Sequence, residues 1–370
     1  MRKKFLIVYI LICLLICGCT QNTVGEYTKT VFAMDTIMDL KIYSASGDGA
    51  LEQAENEIKR IDNLLDRGNE NSEIYKINKD KASSISSETA EVISAALSIS
   101  EETDGALDIT TAPVTDLWGF YGSEFNIPSD DELQSALKGV GYEKVRLNEN
   151  YISIPENTYI DLGGIGKGYA SDKVVNVLKR NNIDSAIISL GGNVYAIGKK
   201  PDGSLWTVGI ADPDSGSKAI GKVKVADKAV VTSGGYQRYF ERDGITYHHI
   251  IDPKTGKSAD SGLSSVTIIA DSGTRADGLS TSLFVMGLEK SIELWRDRED
   301  FDAVFVDANG AVYVTAGIKD AFESDSDYAV IGNDKVKMLE NAEEILQVFA
   351  KKYIPVAAFH APTCCLIYRN

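Results

Sequence analysis

A glycine-rich stretch, Asp161-Leu162-Gly163-Gly164-Ile165-Gly166-Lys167-Gly168, places the tightest limit on how this chain can fold. The β-rich segment Tyr151–Ile160 precedes it, and apolar residues recur at helical spacing after it. We therefore predict a loop that joins a strand to the start of a helix. Four glycines in six residues let the backbone approach a ligand closely, and free amides at a helix start favour an anion. Lys167 adds a point charge that suits phosphate.

Two well-known phosphate motifs do not match this loop. A Walker loop needs Ser or Thr directly after its lysine, and here Gly168 follows Lys167. The dinucleotide fingerprint G-x-G-x-x-G also fails, because Tyr169 stands three residues after Gly166. Read alone, the loop is either a phosphate site or a plain glycine-rich turn, and a second region has to decide between them.

The first residues have the pattern of a bacterial lipoprotein signal. A basic start precedes an apolar run from Phe5 to Ile16, and a small residue stands directly before Cys19. We predict a signal over residues 1–18, lipidation of Cys19 and a polar tether over residues 19–30. These features predict an extracytoplasmic protein that is lipid-anchored to the cell membrane. The alternatives are a plain secretory signal or an uncleaved anchor.

Charge and cysteine content exclude several classes of partner and site. The formal net charge of −16 argues against nucleic acid as a partner and against electrostatic docking on anionic lipid. No cysteine occurs between Cys19 and Cys364, so the body of the chain has neither a disulfide framework nor a thiolate metal site. Its length suits one large domain, which we place at residues 31–335, with an atypical tail over residues 336–370.

Hydrophobic periodicity indicates discrete helices mixed with short strands, which is typical of the α+β class. An aromatic cluster from Leu117 to Tyr121 is typical of core residues that pack beneath a loop, here one bounded by Pro and Gly. The predicted helices are Leu51–Leu65, Ser87–Thr103 and Asp130–Lys138. The predicted strands are Val31–Tyr43 (interrupted at Met34–Thr36), Ala186–Leu190, Val194–Ile197, Leu205–Ile210, Lys222–Val225 and Ala229–Thr232.

Two adjacent histidines mark a second candidate region. His248 and His249 stand just before an Asp-Pro turn, shortly after a strand that ends in the polar turn Thr232–Tyr236. Successive strand residues face opposite ways, so only one of the pair can point into a given site. A histidine of this kind is either a hydrogen-bonded surface or core group or a catalytic group.

The segment from Thr274 to Thr281 opens a helix that continues to Gly287. Asp277 and Thr281 are four residues apart and therefore share one face of that helix. A carboxylate and a hydroxyl are hard ligands that suit Mg²⁺, which completes its shell with phosphate and water. Without thiolates and with few histidines, zinc and copper are disfavoured. The structural alternative is a capping box, because Thr274 and Asp277 have its spacing.

Taken in order, these stretches resemble the ApbE family of FAD:protein FMN transferases, which are typically bacterial lipoproteins. The matching stretches run from about residue 30 to about residue 320. They are Met34–Thr36, Ser72–Asn78, Thr103–Thr110, Leu117–Phe120, Asp161–Ala170, Ser189–Asn193, Thr232–Tyr236, His249–Gly256 and Ala276–Thr281.

The resemblance implies an α+β fold, with the flavin site in a cleft between the two halves of one large domain. It implies an extracytoplasmic enzyme that binds FAD with Mg²⁺, transfers FMN through a phosphoester bond to a threonine of a target protein, and releases AMP. The implied acceptors are membrane redox subunits of the Nqr or Rnf type.

The resemblance also assigns roles to particular residues. His249 and Asp277 are the implied catalytic residues, and His249 is the candidate base at the phosphate end. Gly166 stands where many members have alanine, so another small residue should be tolerated there. The implied metal ligands are the Gly164 carbonyl and the side chains of Asp277 and Thr281, with Ser280 at a position where some members carry a further carboxylate. The implied FAD contacts are Met34, Ser72, Trp118, Gly119, Phe120, Asp161, Lys167 and His249.

Two other functions remain open from the sequence. A Mg²⁺-dependent FAD pyrophosphatase would use the same residues with water, rather than threonine, as the attacking group. A lipoprotein that binds FAD without chemistry would release no AMP. Covalent flavin on an acceptor protein distinguishes the transferase from both.

Overall fold

A nine-stranded sheet forms the centre of the computed structural model, which describes residues 24–122, 124–215 and 218–332. The strand order is β1-β2-β6-β7-β10-β13-β14-β15-β17, and neighbouring strands are antiparallel except for the parallel pair β15 and β17. These strands are β1 (Gly25–Ala33), β2 (Thr36–Ser44), β6 (Ser185–Leu190), β7 (Asn193–Gly198), β10 (Lys228–Gly234), β13 (Leu263–Ala270), β14 (Phe301–Asp307), β15 (Val312–Thr315) and β17 (Tyr328–Ile331).

Three smaller sheets and a set of helices surround this centre. The sheet β3-β5-β4 contains Ala82–Ser84, Tyr151–Ser153 and Arg146–Asn148, the hairpin β11-β12 contains Tyr239–Arg242 and Ile245–His248, and the sheet β16-β9-β8 contains Phe322–Glu323, Ala219–Val225 and Trp206–Ala211. The α-helices are α1 (Asp48–Leu65), α2 (Glu73–Asp80), α3 (Ser87–Glu102), α4 (Ala112–Trp118), α5 (Asp130–Leu137), α6 (Gly166–Arg180), α7 (Gly273–Met286) and α8 (Leu288–Arg296). Within the described ranges, none of the helices is long and apolar enough to cross a bilayer.

The two faces of the central sheet are buried against different layers. Along β10, Val231 packs in the cluster that contains the helices, whereas Val230 packs against the small sheet β16-β9-β8. This alternation is the period-two pattern of a strand that is buried on both faces. A third cluster, built on Val114, Trp118 and Phe120, lies apart from both. The α+β class is confirmed.

Most predicted elements are confirmed, including the five strands between residues 185 and 234. The interruption predicted at Met34–Thr36 is also confirmed, with Met34 and Asp35 as the turn of the β1–β2 hairpin and Thr36 as the first residue of β2. The predicted tether is wrong for residues 25–30, because they form the first part of β1 and pair with β2 along its length. The lipoprotein signal, Cys19 and the tail over residues 336–370 lie outside the described residues.

Two local predictions are wrong for identifiable reasons. The segment Tyr151–Ile160 is a strand only as far as Ser153, because Pro155 cannot donate to a ladder and a turn from Pro155 to Thr158 follows. The loop predicted around the aromatic cluster is partly helical, because Leu117 and Trp118 are the last two residues of α4. Pro113 in its first turn and Gly119 at its end are the start and stop signals that identify such a helix.

The register of the sheet places three segments at the same end of its strands. They are the tip of the β1–β2 hairpin, the Gly191–Gly192 turn between β6 and β7, and the end of β10 at Ser233. An added Cβ at Gly191 would lie 2.5 Å from the Thr36 side chain, which shows how closely the first two turns approach. Helix α7 packs on β10, and its residues Ser280 and Thr281 contact Ser233 at this end of the sheet.

Candidate functional site

The glycine-rich stretch is an irregular segment that leads into α6, rather than a direct strand-to-helix turn. The Asp161 amide donates to the Ile109 carbonyl at 2.7 Å, and the Ile160 amide donates to the side chain of Asn78 at 2.6 Å. Asp161 Oδ1 accepts from the Gly163 amide at 2.7 Å and so closes a local turn. These bonds fix the backbone of the segment before the helix begins at Gly166.

Arg67 holds this segment from outside, a role that no sequence pattern predicted. Its Nε donates to Asp161 Oδ2 at 2.8 Å, and its other nitrogens pair with Asp116 on α4. The guanidinium also lies 3.5 Å from the centre of the Tyr121 ring. Arg67 is mostly buried, with 11% of its side chain exposed, so these bonds replace the solvent that the charge has lost. Asp161, predicted as a contact for FAD, is therefore also the link between the loop and Arg67.

Helices α6 and α7 approach each other closely at Gly168. Its amide donates to Asp277 Oδ2 at 2.8 Å, and an added Cβ would lie only 2.2 Å from the Gly273 carbonyl oxygen. One turn further along α6, Asp172 accepts from the amides of Gly273 and Thr274. The capping-box alternative for Asp277 is wrong, because the N-cap of α7 is Ser272 and Asp277 is turned towards α6.

Asp277 is a buried carboxylate without a positive partner. Only 3% of the residue is exposed, and it forms no ion pair within the described ranges. Thr281 lies one turn further along α7. Gly164, in the glycine-rich segment, lies beside Thr281, because a Cβ added at Gly164 would be 4.0 Å from the Thr281 methyl group. Buried charges are normally paired or bound to a metal, so one carboxylate, one hydroxyl and one backbone carbonyl fit a hard cation.

This donor set suits Mg²⁺ better than a transition metal. In the part of the chain that the structure describes, no group of three or more His, Cys, Asp or Glu side chains is arranged to hold a metal ion. Mg²⁺ needs few protein ligands because phosphate and water supply the others. Of the predicted metal ligands, Asp277 and Thr281 lie one turn apart on α7 and Gly164 lies beside Thr281, and their role as ligands stays a prediction.

Ser280 lies on the buried side of the residues Asp277, Thr281 and Gly164. It is fully buried, and its hydroxyl bonds to the Asp277 carbonyl at 2.9 Å and to Ser233 Oγ at 2.8 Å. Ser233 Oγ in turn lies 3.2 Å from Thr281 Oγ1. Ser280 and Ser233 therefore pack beneath Thr281. Because Ser280 is one residue before Thr281 on the helix, its side chain points in a different direction from that of Thr281.

The two histidines face opposite ways, as the strand pattern predicted. The Nε2 atom of His248 lies 3.1 Å from the Ala259 carbonyl, and its ring packs edge-on against Phe284 on α7. His249 instead places Nδ1 3.1 Å from the Arg238 carbonyl. A carbonyl only accepts, so Nδ1 carries the proton and the neutral ring keeps its lone pair on Nε2.

His249 stays neutral near pH 7. Burial lowers its pKa to about 4, with a smaller opposite effect from the hydrogen bond to Arg238 and a further lowering by the charge of Lys167. The charge of Lys167, on the first turn of α6, therefore reaches His249. Arg238 acts there too and was missed, although it follows the quoted motif Thr232–Tyr236 by two residues.

Lys167 and Arg238 are two cations that lack a carboxylate partner. Neither side chain forms an ion pair or hydrogen bond with any residue in the described ranges. Their two charges make the region beside His249 positive. A phosphate-bearing ligand would supply the missing negative charge.

The aromatic residues predicted as flavin contacts are buried among themselves. Trp118 and Phe120 are each 3% exposed, and Trp118 Nε1 donates to the Gly256 carbonyl at 2.7 Å. Gly119 ends α4 with a φ of 77°, where an added Cβ would lie 1.9 Å from a backbone oxygen. Phe120 still reaches the site, because its ring lies edge-on to His249 with centres 6.5 Å apart. The flavin contacts of these residues stay predictions.

Met34 and Ser72 lie outside the group formed by Asp277, Thr281 and Gly164. Met34 is half-buried in the hairpin turn, and its backbone amide lies against the carboxylate of Asp62. Burial raises the pKa of Asp62, the Met34 amide opposes that shift, and the nearby carboxylates of Asp66 and Asp35 add to it. Ser72 is 1% exposed and caps α2 by accepting from the Tyr75 amide at 2.9 Å. Its contact with FAD stays a prediction.

Known proteins share both the sequence and the fold of this chain. A sequence model of the ApbE family matches residues 34–305. An FAD:protein FMN transferase of Treponema pallidum (strain Nichols) is 33% identical over 339 residues, which cover 84% of this chain and 93% of the relative. A protein of the same name from Klebsiella pneumoniae (strain 342) is 33% identical, with 84% of this chain and 98% of the relative covered.

Solved structures extend the likeness to three dimensions. The ApbE protein of Thermotoga maritima superimposes with a TM-score of 0.76 at 34% identity, over 80% of this chain and 99% of the other. The flavin transferase ApbE of Vibrio cholerae gives a TM-score of 0.73 at 27% identity, with the same coverage.

Proposed function

Since the chain belongs to the ApbE family, we propose that it transfers FMN from FAD to a threonine hydroxyl of an acceptor protein, with Mg²⁺, and releases AMP. The observation that carries this proposal is the buried carboxylate of Asp277, which lacks a cation and lies beside Thr281 and Gly164. Lys167 belongs to the same helix turn as Gly168, whose amide holds Asp277, and we infer that the two unpaired cations and His249 bind the same ligand as the metal.

The diphosphate of FAD would occupy the positive region between the first turn of α6 and His249. Lys167 and Arg238 would contact its oxygens, and the carbonyl of Gly164 with the side chains of Asp277 and Thr281 would hold Mg²⁺. When bound, Mg²⁺ offsets the negative charge that builds on the phosphate oxygens during transfer. Asp277 keeps one oxygen on the Gly168 amide, so α6 and α7 fix its orientation.

The reaction exchanges the phosphoanhydride bond of FAD for a phosphoester bond to the acceptor. The threonine oxygen bonds to the phosphorus of the FMN half, and the bond from that phosphorus to the oxygen it shares with the AMP half breaks. The threonine proton passes to Nε2 of His249, which is free because Nδ1 is bonded to the Arg238 carbonyl. A diphosphate beside the ring would raise the low pKa of His249 and so make it a better base.

Location and acceptor class are further parts of this proposal. Lipidation of Cys19 after removal of residues 1–18 would anchor the protein to the membrane on its extracytoplasmic side. An enzyme held there would meet membrane redox subunits of the Nqr or Rnf type, the acceptors that the family resemblance implies.

The test is to incubate the purified protein with FAD in the presence and absence of a threonine-bearing domain of an Rnf-type subunit, with and without a chelator. We expect AMP release and flavin fluorescence on the acceptor band of a denaturing gel, both lost with chelator. AMP and free FMN without labelled acceptor would instead show a pyrophosphatase. Retention of FAD without any AMP would show a binding protein.

A further inference from the structure

The ring of His249 is oriented by one backbone carbonyl at the base of the β11–β12 hairpin. Arg238 directly precedes β11, and His249 directly follows β12. The Arg238 carbonyl accepts two hydrogen bonds from His249, one from its amide at 3.0 Å and one from Nδ1 at 3.1 Å. Since the second bond fixes the ring, a movement of β11 that shifts this carbonyl would also turn the imidazole.

The two strands of this hairpin are fixed by different contacts. Within the described ranges, β11 and β12 pair with each other and belong to no larger sheet. Ser258 fixes β12, because its hydroxyl donates to the His248 carbonyl at 2.7 Å and accepts from the His248 amide at 3.0 Å. A hairpin of two strands is marginally stable by itself, so the position of β11 depends on the packing of its side chains.

Phe240 provides that packing for β11. Its ring stacks on Phe125 with centres 4.8 Å apart and planes 15° apart, and on Tyr247 at 5.1 Å and 20°. Two buried rings, Trp118 and Phe120, lie 6.4 and 5.8 Å from it. Aromatic pairs at such distances attract each other beyond the effect of the area that they bury. Phe240 therefore joins β11 to the aromatic cluster around Trp118.

The same cluster also reaches His249. Phe120 contacts Phe240 on one side, and its ring lies edge-on to His249 with centres 6.5 Å apart. The charged and titratable groups that face the His249 ring are Lys167, Arg238 and His248. Each of these groups lowers the pKa of His249, and burial lowers it most. The packing of the aromatic cluster thus affects both the orientation of this ring and its access to water.

Tyr239, the residue before Phe240, faces the opposite way. Successive side chains of a strand point to opposite faces, and Tyr239 is 46% exposed whereas Phe240 is half-buried. Loss of the Tyr239 side chain would leave its backbone pairing with His248 in place. Tyr239 therefore allows a change of similar size on the same strand that does not touch the aromatic cluster.

We propose that Phe240 is a positioning residue for flavin transfer. Its ring stack fixes β11, and β11 fixes the Arg238 carbonyl at the place where it binds Nδ1 of His249. Nε2 is then turned away from that carbonyl and can take the proton of the attacking threonine. The effect on catalysis rests on the proposed function, whereas the effect on the His249 ring exists without FAD.

The test is an NMR pH titration of the full-length chain, labelled with ¹⁵N-histidine and without FAD. The chain has three histidines, and the signal that disappears in His249→Gln identifies His249. In wild type, we expect the proton on Nδ1 and a pKa of about 4 for His249. In Phe240→Ala, both tautomers should appear and the pKa of His249 should rise by about one pH unit or more, because burial is the largest cause of its low value. Tyr239→Ala should match wild type.

Two further measurements separate positioning from a general loss of structure. The His248 signal, from a residue fixed by Ser258, should be unchanged in every variant. Phe240→Leu keeps much of the apolar volume and should shift His249 in the same direction by less; if Phe240→Ala does not fold, the presence or absence of this shift decides. In transfer assays, kcat of Phe240→Ala should fall about tenfold or more, while the Mg²⁺ concentration for half-maximal AMP release stays at the wild-type value.

The outcomes for positioning and for function are distinct. A wild-type tautomer and pKa for His249 in Phe240→Ala, or an equal shift in Tyr239→Ala, would overturn the positioning role. A shifted His249 in Phe240→Ala, in a protein whose wild type transfers no flavin, would leave the positioning role intact and refute the proposed function instead.

Discussion

Replacement of Gly168 by alanine tests how closely α6 and α7 must approach to place Asp277. A Cβ at Gly168 would lie 2.2 Å from the Gly273 carbonyl oxygen and 2.6 Å from Asp277 Cβ. Both are parts of the α7 framework and cannot turn aside as a flexible side chain would. Gly166→Ala is the matched control, because its Cβ would meet only Leu65 at 3.9 Å.

The two alanines should have opposite effects on stability. Overpacking of a close contact costs about 1–3 kcal/mol, and Gly168→Ala recovers at most about 1 kcal/mol from the better helix propensity of alanine. Gly168→Ala should therefore lower the free energy of unfolding by up to about 2 kcal/mol. Gly166→Ala has the propensity gain without the clash and should be neutral or stabilising by up to about 1 kcal/mol.

Urea unfolding of both variants, with AMP release measured over a Mg²⁺ titration, checks this prediction. Because Gly168→Ala pushes on Asp277, it should also raise the Mg²⁺ concentration for half-maximal AMP release, whereas Gly166→Ala should leave it at the wild-type value. Equal stability and equal Mg²⁺ dependence in the two variants would refute the close-packing argument.

Two further side chains give separate predictions. His249→Ala should abolish most flavin transfer while the Kd for FAD changes little, and near-wild-type turnover would remove His249 as the base. Since the pKa of His249 falls from 6.5 to about 4 on folding, the unfolded chain takes up its proton first. Stability should therefore decline as pH falls from about 6.5 towards 4, and His249→Gln should flatten that slope in thermal unfolding. Arg67→Ala should lower the free energy of unfolding by about 1–3 kcal/mol, because Asp161 and Asp116 lose a charged hydrogen-bond donor. In urea unfolding, Arg67→Lys should recover only part of that loss. An Arg67→Ala variant as stable as wild type would contradict the proposed role of Arg67 in holding the segment.

The sequence was most informative where a local pattern determined a local structure. Alternating apolar residues identified β6 to β10, and the spacing of Asp277 and Thr281 correctly predicted that both lie on one helix, α7. The opposite orientations of His248 and His249 followed from strand geometry alone.

Long-range contacts were not predictable in the same way. Arg67 meets Asp161 across 94 positions of the chain, and no spacing rule relates the two. The Asp277 carboxylate was read either as a cap or as a ligand, and only the position of Gly168, 109 residues away, shows which way it turns. Ser280 was expected among the ligands because it stands where some family members carry a further carboxylate, but its helix position directs its hydroxyl into the core.

The most direct test of the account is a Mg²⁺ titration of AMP release from FAD by wild type and by Asp277→Asn, in the presence of acceptor. An asparagine at this position can still accept from the Gly168 amide, so the variant should fold like wild type while it loses the charge that attracts the cation. We expect half-maximal release at a Mg²⁺ concentration at least tenfold higher, or no release at all. A titration that matches wild type would show that Asp277 does not hold the metal.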